Sequence, residues 1–135
     1  MEKIYSKVCP NILLHIINKR ENITNIRCDI SPADEYLQVS CFNLEKGKTF
    51  KPHKHIKLER YTDITQESWV VIKGKIKAIL YDIDDTIVAE RVLDSGDCSI
   101  TFRGGHNYLC LEDDSLVYEY KTGPYIGQTK DKEFI

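Results

Sequence analysis

No apolar run in the chain approaches the roughly 20 residues that a membrane helix needs. Ile12 to Ile17 is short, interrupted by His15 and followed at once by Asn18-Lys19-Arg20, so neither a secretory signal nor a membrane anchor is expected from it. An excess of one charge is also lacking. Nineteen basic residues against 21 acidic ones leave a net charge of -2, which gives no electrostatic support to a nucleic-acid or membrane-surface role. Paired cysteines are missing too. Cys9, Cys28, Cys41, Cys98 and Cys110 are odd in number and scattered, with no Cys-x-x-Cys, so free thiols in a reducing cytoplasm are the expectation. There is no internal repeat, linker or low-complexity segment, and a chain of 135 residues is expected to form one domain, 1–135.

What is present is a succession of short β-type segments. Residues 1–9 form a polar lead-in, a candidate edge strand. Pro10 and the apolar run to Ile17 fit either one short helix, with Pro10 at its first position, or a strand, because a short apolar run does not fix the period. His15 lies in this run as a structural or surface histidine. Residues 25–30 make a strand ended by the turn Ser31-Pro32-Ala33-Asp34. Tyr36 to Leu44 alternates and reads as another strand. The turn at Glu45 to Lys48 leads to a third, about Thr49 to His55.

Residues 56–66 are polar and long for a hairpin, which marks them as a candidate functional loop. Ser68 to Lys73 is the clearest strand; Gly74 turns the chain into Lys75 to Tyr81. Asp82 to Asp85 turns it again into Thr86 to Leu93. Those aspartates lack the rest of a calcium loop and are read as a hairpin turn. Cys98 to Phe102 and Leu116 to Lys121 are further strands, and Lys130 to Ile135 is expected on the surface. Many short strands with evenly spaced turns predict an all-β sandwich or barrel with at most one short N-terminal helix.

The chemistry concentrates at His53 and His55. In an extended strand residues i and i+2 project from one face, so both imidazoles can aim at one point. Glu67, Trp69 and Val71 share a face of the next strand, which points the Glu67 carboxylate inward above an apolar layer. With His106, these groups supply three imidazoles and a carboxylate, a donor set suited to one divalent transition metal: iron, manganese, nickel, copper or zinc. Taken singly, each of these residues also has an ordinary structural role.

The spacing resembles the cupin family of small jelly-roll β-barrels. Gly47, five residues, then His53-Lys54-His55 match the first half of the family's first motif. Glu67, six residues and Gly74 match its second half, with eleven residues between His55 and Glu67 where the family pattern has three or four. Gly96, Gly104 and His106 follow the second motif. That match departs at Phe102, which stands for a proline, at one residue missing before the histidine, and at Cys110, which stands for an asparagine. The matching core is about 47–110, with an N-terminal extension over 1–24 and an irregular tail over 122–135.

The resemblance implies a double-stranded β-helix whose mouth holds one metal ion on His53, His55, Glu67 and His106. Glu59 is the rival carboxylate, with a fitting spacing from His55 but no six-residue step to a glycine. Lys57, Arg60 and Tyr61 lie in the inserted loop, a candidate lid. Arg103, Trp69, Tyr108, Tyr118 and Tyr120 complete the groups that can face a substrate. Tyrosines and basic residues around a metal suit an oxygen-rich ligand. Equally, the tyrosines can be barrel-wall residues and the basic residues a solvated rim.

The function implied is Lewis-acid isomerisation or epimerisation of a sugar or nucleotide-sugar derivative, with Glu67 or Tyr108 moving a proton. An iron-dependent dioxygenase and a non-catalytic metabolite-binding protein are the alternatives. The family also implies a homodimer, and no DNA-reading helix is predicted.

Overall fold

The computed structural model describes residues 1–135. Ten strands account for almost all of the regular structure: β1 (Glu2–Tyr5), β2 (Leu13–Asn18), β3 (Arg27–Asp29), β4 (Ser40–Phe42), β5 (Glu67–Lys73), β6 (Lys75–Tyr81), β7 (Ile87–Asp94), β8 (Cys98–Thr101), β9 (His106–Cys110) and β10 (Leu116–Lys121). They form a five-stranded sheet in the order β1-β2-β8-β5-β10, a three-stranded sheet β7-β6-β9 and the pair β3-β4. All pairings are antiparallel. The protein is therefore mostly β, in separate antiparallel sheets with no closed barrel. Its one α-helix, α1 (Gln128–Asp131), is short and C-terminal rather than N-terminal. No helix is long and apolar enough to cross a membrane.

The five-stranded sheet is covered on both faces, which explains its sequence. Ile4, Ile17 and Val71 pack against Ile76, Ala78, Leu80 and Leu93 of the three-stranded sheet, with Trp69 and Tyr108 at the margin of that core. On the other face Ile16, Cys98, Ile100 and Phe102 meet Ile30, Leu37, Val39 and Cys41 from the region of the β3-β4 pair. A strand buried on both sides reads as an unbroken apolar run rather than as an alternation. That is why Leu13 to Asn18 is ambiguous in sequence yet folds as β2, with almost every residue buried. Strand β2 lies between β1 and β8 in the main sheet.

Two expected strands differ. Of Tyr36 to Leu44 only Ser40–Phe42 is strand. Thr49 to His55 forms no strand at all and is exposed throughout. Alternating or β-favouring residues become a strand only where a neighbour takes their hydrogen bonds, and residues 49–55 have no such neighbour.

Candidate functional site

The two larger sheets diverge at one end around a cavity of about 550 Å³. Glu67 and Trp69 reach it from β5, His106 and Tyr108 from β9, and Thr101 from β8. The register explains the convergence. Glu67 pairs with Thr101 and Trp69 with Ser99, so these side chains share the inward face of the five-stranded sheet. His106 and Tyr108 stand opposite Leu80 and Ala78, on the inward face of the other sheet.

Glu67 is the centre of the site. Its Oε1 accepts from His106 Nε2 at 3.0 Å and from Trp69 Nε1 at 2.8 Å. Lys132 Nζ lies 3.8 Å from its Oε2. The carboxylate is almost wholly buried, and burial opposes its ionisation. The hydrogen bond and electrostatic pull of His106, the Trp69 donor and the Lys132 charge overcome that penalty and hold the carboxyl at about 2. A carboxylate accepts at both oxygens, so Glu67 is an anionic acceptor exposed to a cavity, braced by an indole and an imidazole.

Below it, Trp69 and Tyr108 stack with ring centroids 4.0 Å apart and planes 15° from parallel. The Tyr108 hydroxyl bonds to Ser99 Oγ at 2.8 Å, and burial pushes its pKa well up. The Tyr108 ring thus forms part of the cavity wall while its hydroxyl is engaged with Ser99.

Residues 128 and 131–135 supply part of the cavity rim. Asp131, on α1, accepts from Thr65 Oγ1 at 2.6 Å and pairs with Lys121 Nζ at 3.5 Å. Beyond it Lys132, Phe134 and Ile135 form a further part of the wall. This segment lies on the surface, as expected, with Phe134 82% and Ile135 63% exposed, and it also borders the cavity. The cue is Phe134-Ile135, an apolar pair directly after the charged run Lys130 to Glu133.

Other expected site residues lie elsewhere. His53 and His55 have ring centroids 5.6 Å apart, but they stand on the exposed segment with Lys57, Glu59, Arg60 and Tyr61, none of which reaches the cavity wall. The cavity rim includes residues 128 and 131–135 rather than the 56–66 loop. Arg103 Nη1 pairs with Glu35 Oε1 at 2.7 Å and does not line the cavity. Tyr118 and Tyr120 pair with Val70 and Ser68, and so project from the face opposite Glu67 and Trp69. Both are exposed. Alternation placed the two tyrosines on one face correctly, but only strand order tells which face meets the other sheet.

In this arrangement the donors do not fit one metal ion. No group of three or more His, Cys, Asp and Glu side chains is gathered. A carboxylate can only accept, so His106 Nε2 carries its proton toward Glu67 and offers no lone pair there. His106 Nδ1 is buried without a partner. The ammonium of Lys132 already serves as the cation beside Glu67.

A second cleft, of about 450 Å³, is open and strongly charged, bounded by Lys19, Arg20, Asp94 and Asp97. Lys19 Nζ lies 2.7 Å from Asp97 Oδ2, and the Arg20 backbone N–H donates to Asp97 Oδ1. Comparison of the chain with protein-family models, with curated proteins and with solved structures gave no match.

Proposed function

We propose that the chain is a cupin-like protein that binds a small, oxygen-rich molecule in the cavity between its sheets, a sugar or nucleotide-sugar derivative being the leading candidate. We further propose that the Glu67–His106 pair moves a proton on that ligand, in isomerase- or epimerase-type chemistry. The carrying observation is the Glu67 carboxylate, ionised and aimed into a 550 Å³ cavity beside an imidazole and a stacked aromatic pair. Hydroxyl groups suit an anionic acceptor, and C–H faces suit an aromatic wall. Within the reading, Glu67 orients the ring and balances its charge while His106 carries the proton.

Trp69 is the only tryptophan in the chain and lines the cavity, so its fluorescence reports the site directly. A panel of sugars, sugar phosphates and nucleotide sugars is titrated against the wild type and Glu67→Gln. A saturable change in the wild type, weakened at least tenfold in the variant, supports the site. No response to any member sinks it. Exchange of a ligand C–H with D2O, seen by NMR and lost in His106→Ala, marks proton transfer.

A non-catalytic binding protein is the second reading. It is favoured by the Tyr108 hydroxyl, which is committed to Ser99, and by a Glu67 too acidic to be a strong base. Saturable binding without exchange would select it. Metal-dependent forms, the dioxygenase included, rest on the sequence pattern that joins His53, His55, Glu67 and His106, and no step is assigned to an ion. Metal content of protein purified without added metal, beside His53→Ala and Glu67→Ala, decides them. Near one equivalent lost in both variants would restore the metal reading; no bound metal, and no uptake on reconstitution, would remove it.

A further inference from the structure

The β3-β4 pair lies away from the cavity, on the outer face of the five-stranded sheet. Its register sets Cys28 directly opposite Cys41, with Arg27 opposite Phe42 and Asp29 opposite Ser40. Residues opposed in an antiparallel pair project from the same face, at Cα separations of about 4.5–5.5 Å. That interval lies inside the range a disulfide spans. Both cysteines are free and half-buried, and Cys41 Sγ already points at its partner strand, 3.7 Å from the Cys28 carbonyl oxygen. Cys98, the neighbour in the outer core, is buried on β8 within the main sheet.

We propose that Cys28 and Cys41 form a reversible cross-strand disulfide, made by exchange with a low-molecular-weight disulfide such as oxidised glutathione. Cys28 is the entry point, because Cys41 packs against the outer core and Cys28 does not. Its thiolate attacks one sulfur of the small disulfide, whose S–S bond breaks and expels one thiolate. Cys41 thiolate then attacks the Cys28 sulfur and expels the second. Two cysteine thiols are oxidised, one small disulfide is reduced to two thiols, and both cysteine protons end on the released thiols. The bridge ties β3 to β4, and β4 leads directly into the exposed segment that carries His53 and His55.

The test uses the whole native protein incubated in glutathione buffers of stepped ratio, quenched with iodoacetamide and digested with trypsin. Residues 28–46 contain no internal lysine or arginine, so both cysteines fall in one peptide. The expected product is that peptide two hydrogens lighter than its reduced form and unalkylated, with Cys9, Cys98 and Cys110 still alkylated. Dithiothreitol should restore two alkylation sites, and Cys98→Ser should leave the result unchanged. A glutathione adduct persisting on Cys28, a bridge from Cys41 to Cys98, a bridge between two chains, or full alkylation at every ratio would each overturn the proposal.

Discussion

Glu67 Oε1 and His106 Nε2 lie 3.0 Å apart although 39 residues separate them along the chain. One side chain comes from the five-stranded sheet and the other from the three-stranded sheet. The bond is thus a tie between the two layers, as well as the polar centre of the cavity.

Replacing Glu67 by Gln keeps the shape and removes the charge. His106 and Lys132 then lose their anionic partner, and an imperfectly satisfied buried polar group costs about 1–3 kcal/mol. Glu67→Ala removes the acceptor for Trp69 and His106 as well, and should cost about 3–5 kcal/mol, the range for a broken buried pair. Urea unfolding followed by Trp69 fluorescence measures both. Equal midpoints in wild type and Glu67→Ala would mean that the carboxylate does not tie the sheets.

The same carboxylate predicts an acid limit. Its folded pKa, about 2, lies below its ordinary 4.5. A carboxyl depressed on folding contributes stability that is present above the ordinary value and is lost as pH falls through the folded one. Unfolding free energy should therefore drop between pH 4.5 and 2, and drop less steeply in Glu67→Gln. Parallel curves for the two proteins would contradict this assignment.

The inward face of β5 was legible because Glu67, Trp69 and Val71 alternate on a long, well-paired strand. The boundaries of β6 and β10 were legible for the same reason, Gly74 and the Asp82 turn setting the limits of β6. His53 and His55 were not, because a two-residue period fixes a common face only if the segment is held extended. No strand borders residues 49–55. Residues 132–135 were legible as surface residues, but their nearness to the cavity was not. Asp131, just before them, bonds Thr65, a contact between positions 66 residues apart that no local pattern encodes.

His15 supplies a second, independent pH dependence. It is fully buried, its Nε2 donates to the Tyr81 carbonyl at 2.9 Å, and its Nδ1 therefore accepts from Thr101 Oγ1 at 3.0 Å. Burial pushes its pKa down from 6.5 to about 4, only partly opposed by the bond to Tyr81. Below pH 6.5 the unfolded chain takes up a proton that the folded chain refuses. A tenfold difference in proton affinity is worth about 1.4 kcal/mol, so stability should fall by up to about 3 kcal/mol as pH drops from 6.5 to 4. His15→Gln should be less stable at pH 7 and flatter across that interval. An NMR titration showing the His15 ring charged at pH 6 in the folded protein would refute it.

Gly104 has φ of +75°, and a Cβ there would collide with the carbonyl oxygen of Tyr81, the same oxygen that holds His15. Gly104→Ala should therefore combine left-handed backbone strain with a displaced β8-β9 turn, at a cost of about 1–3 kcal/mol. Because the turn leads into His106, the His106 ring signals should shift as well. Gly47→Ala also places an alanine at positive φ but meets nothing within 4 Å, and should show the strain alone. Equal losses in the two variants would place the Gly104 effect in the backbone angle and not in the contact.

The C-terminal strap should govern access to the cavity. Phe134 and Ile135 form part of its wall, Ile135 packs over Gly105, and Lys132 stands beside Glu67. The anchor is Asp131, held by Thr65 and Lys121. If these contacts close the site, removing residues 132–135 should expose Trp69, raising its acrylamide quenching constant about twofold and shifting its emission to the red. Lys132→Gln keeps the apolar cover and removes only the charge, so its quenching should stay near wild type while the Glu67 carboxyl becomes easier to protonate. Quenching unchanged by the truncation would mean that the last residues do not shield the site. A large increase in Lys132→Gln would mean that the ion pair, and not the apolar cover, holds the strap in place.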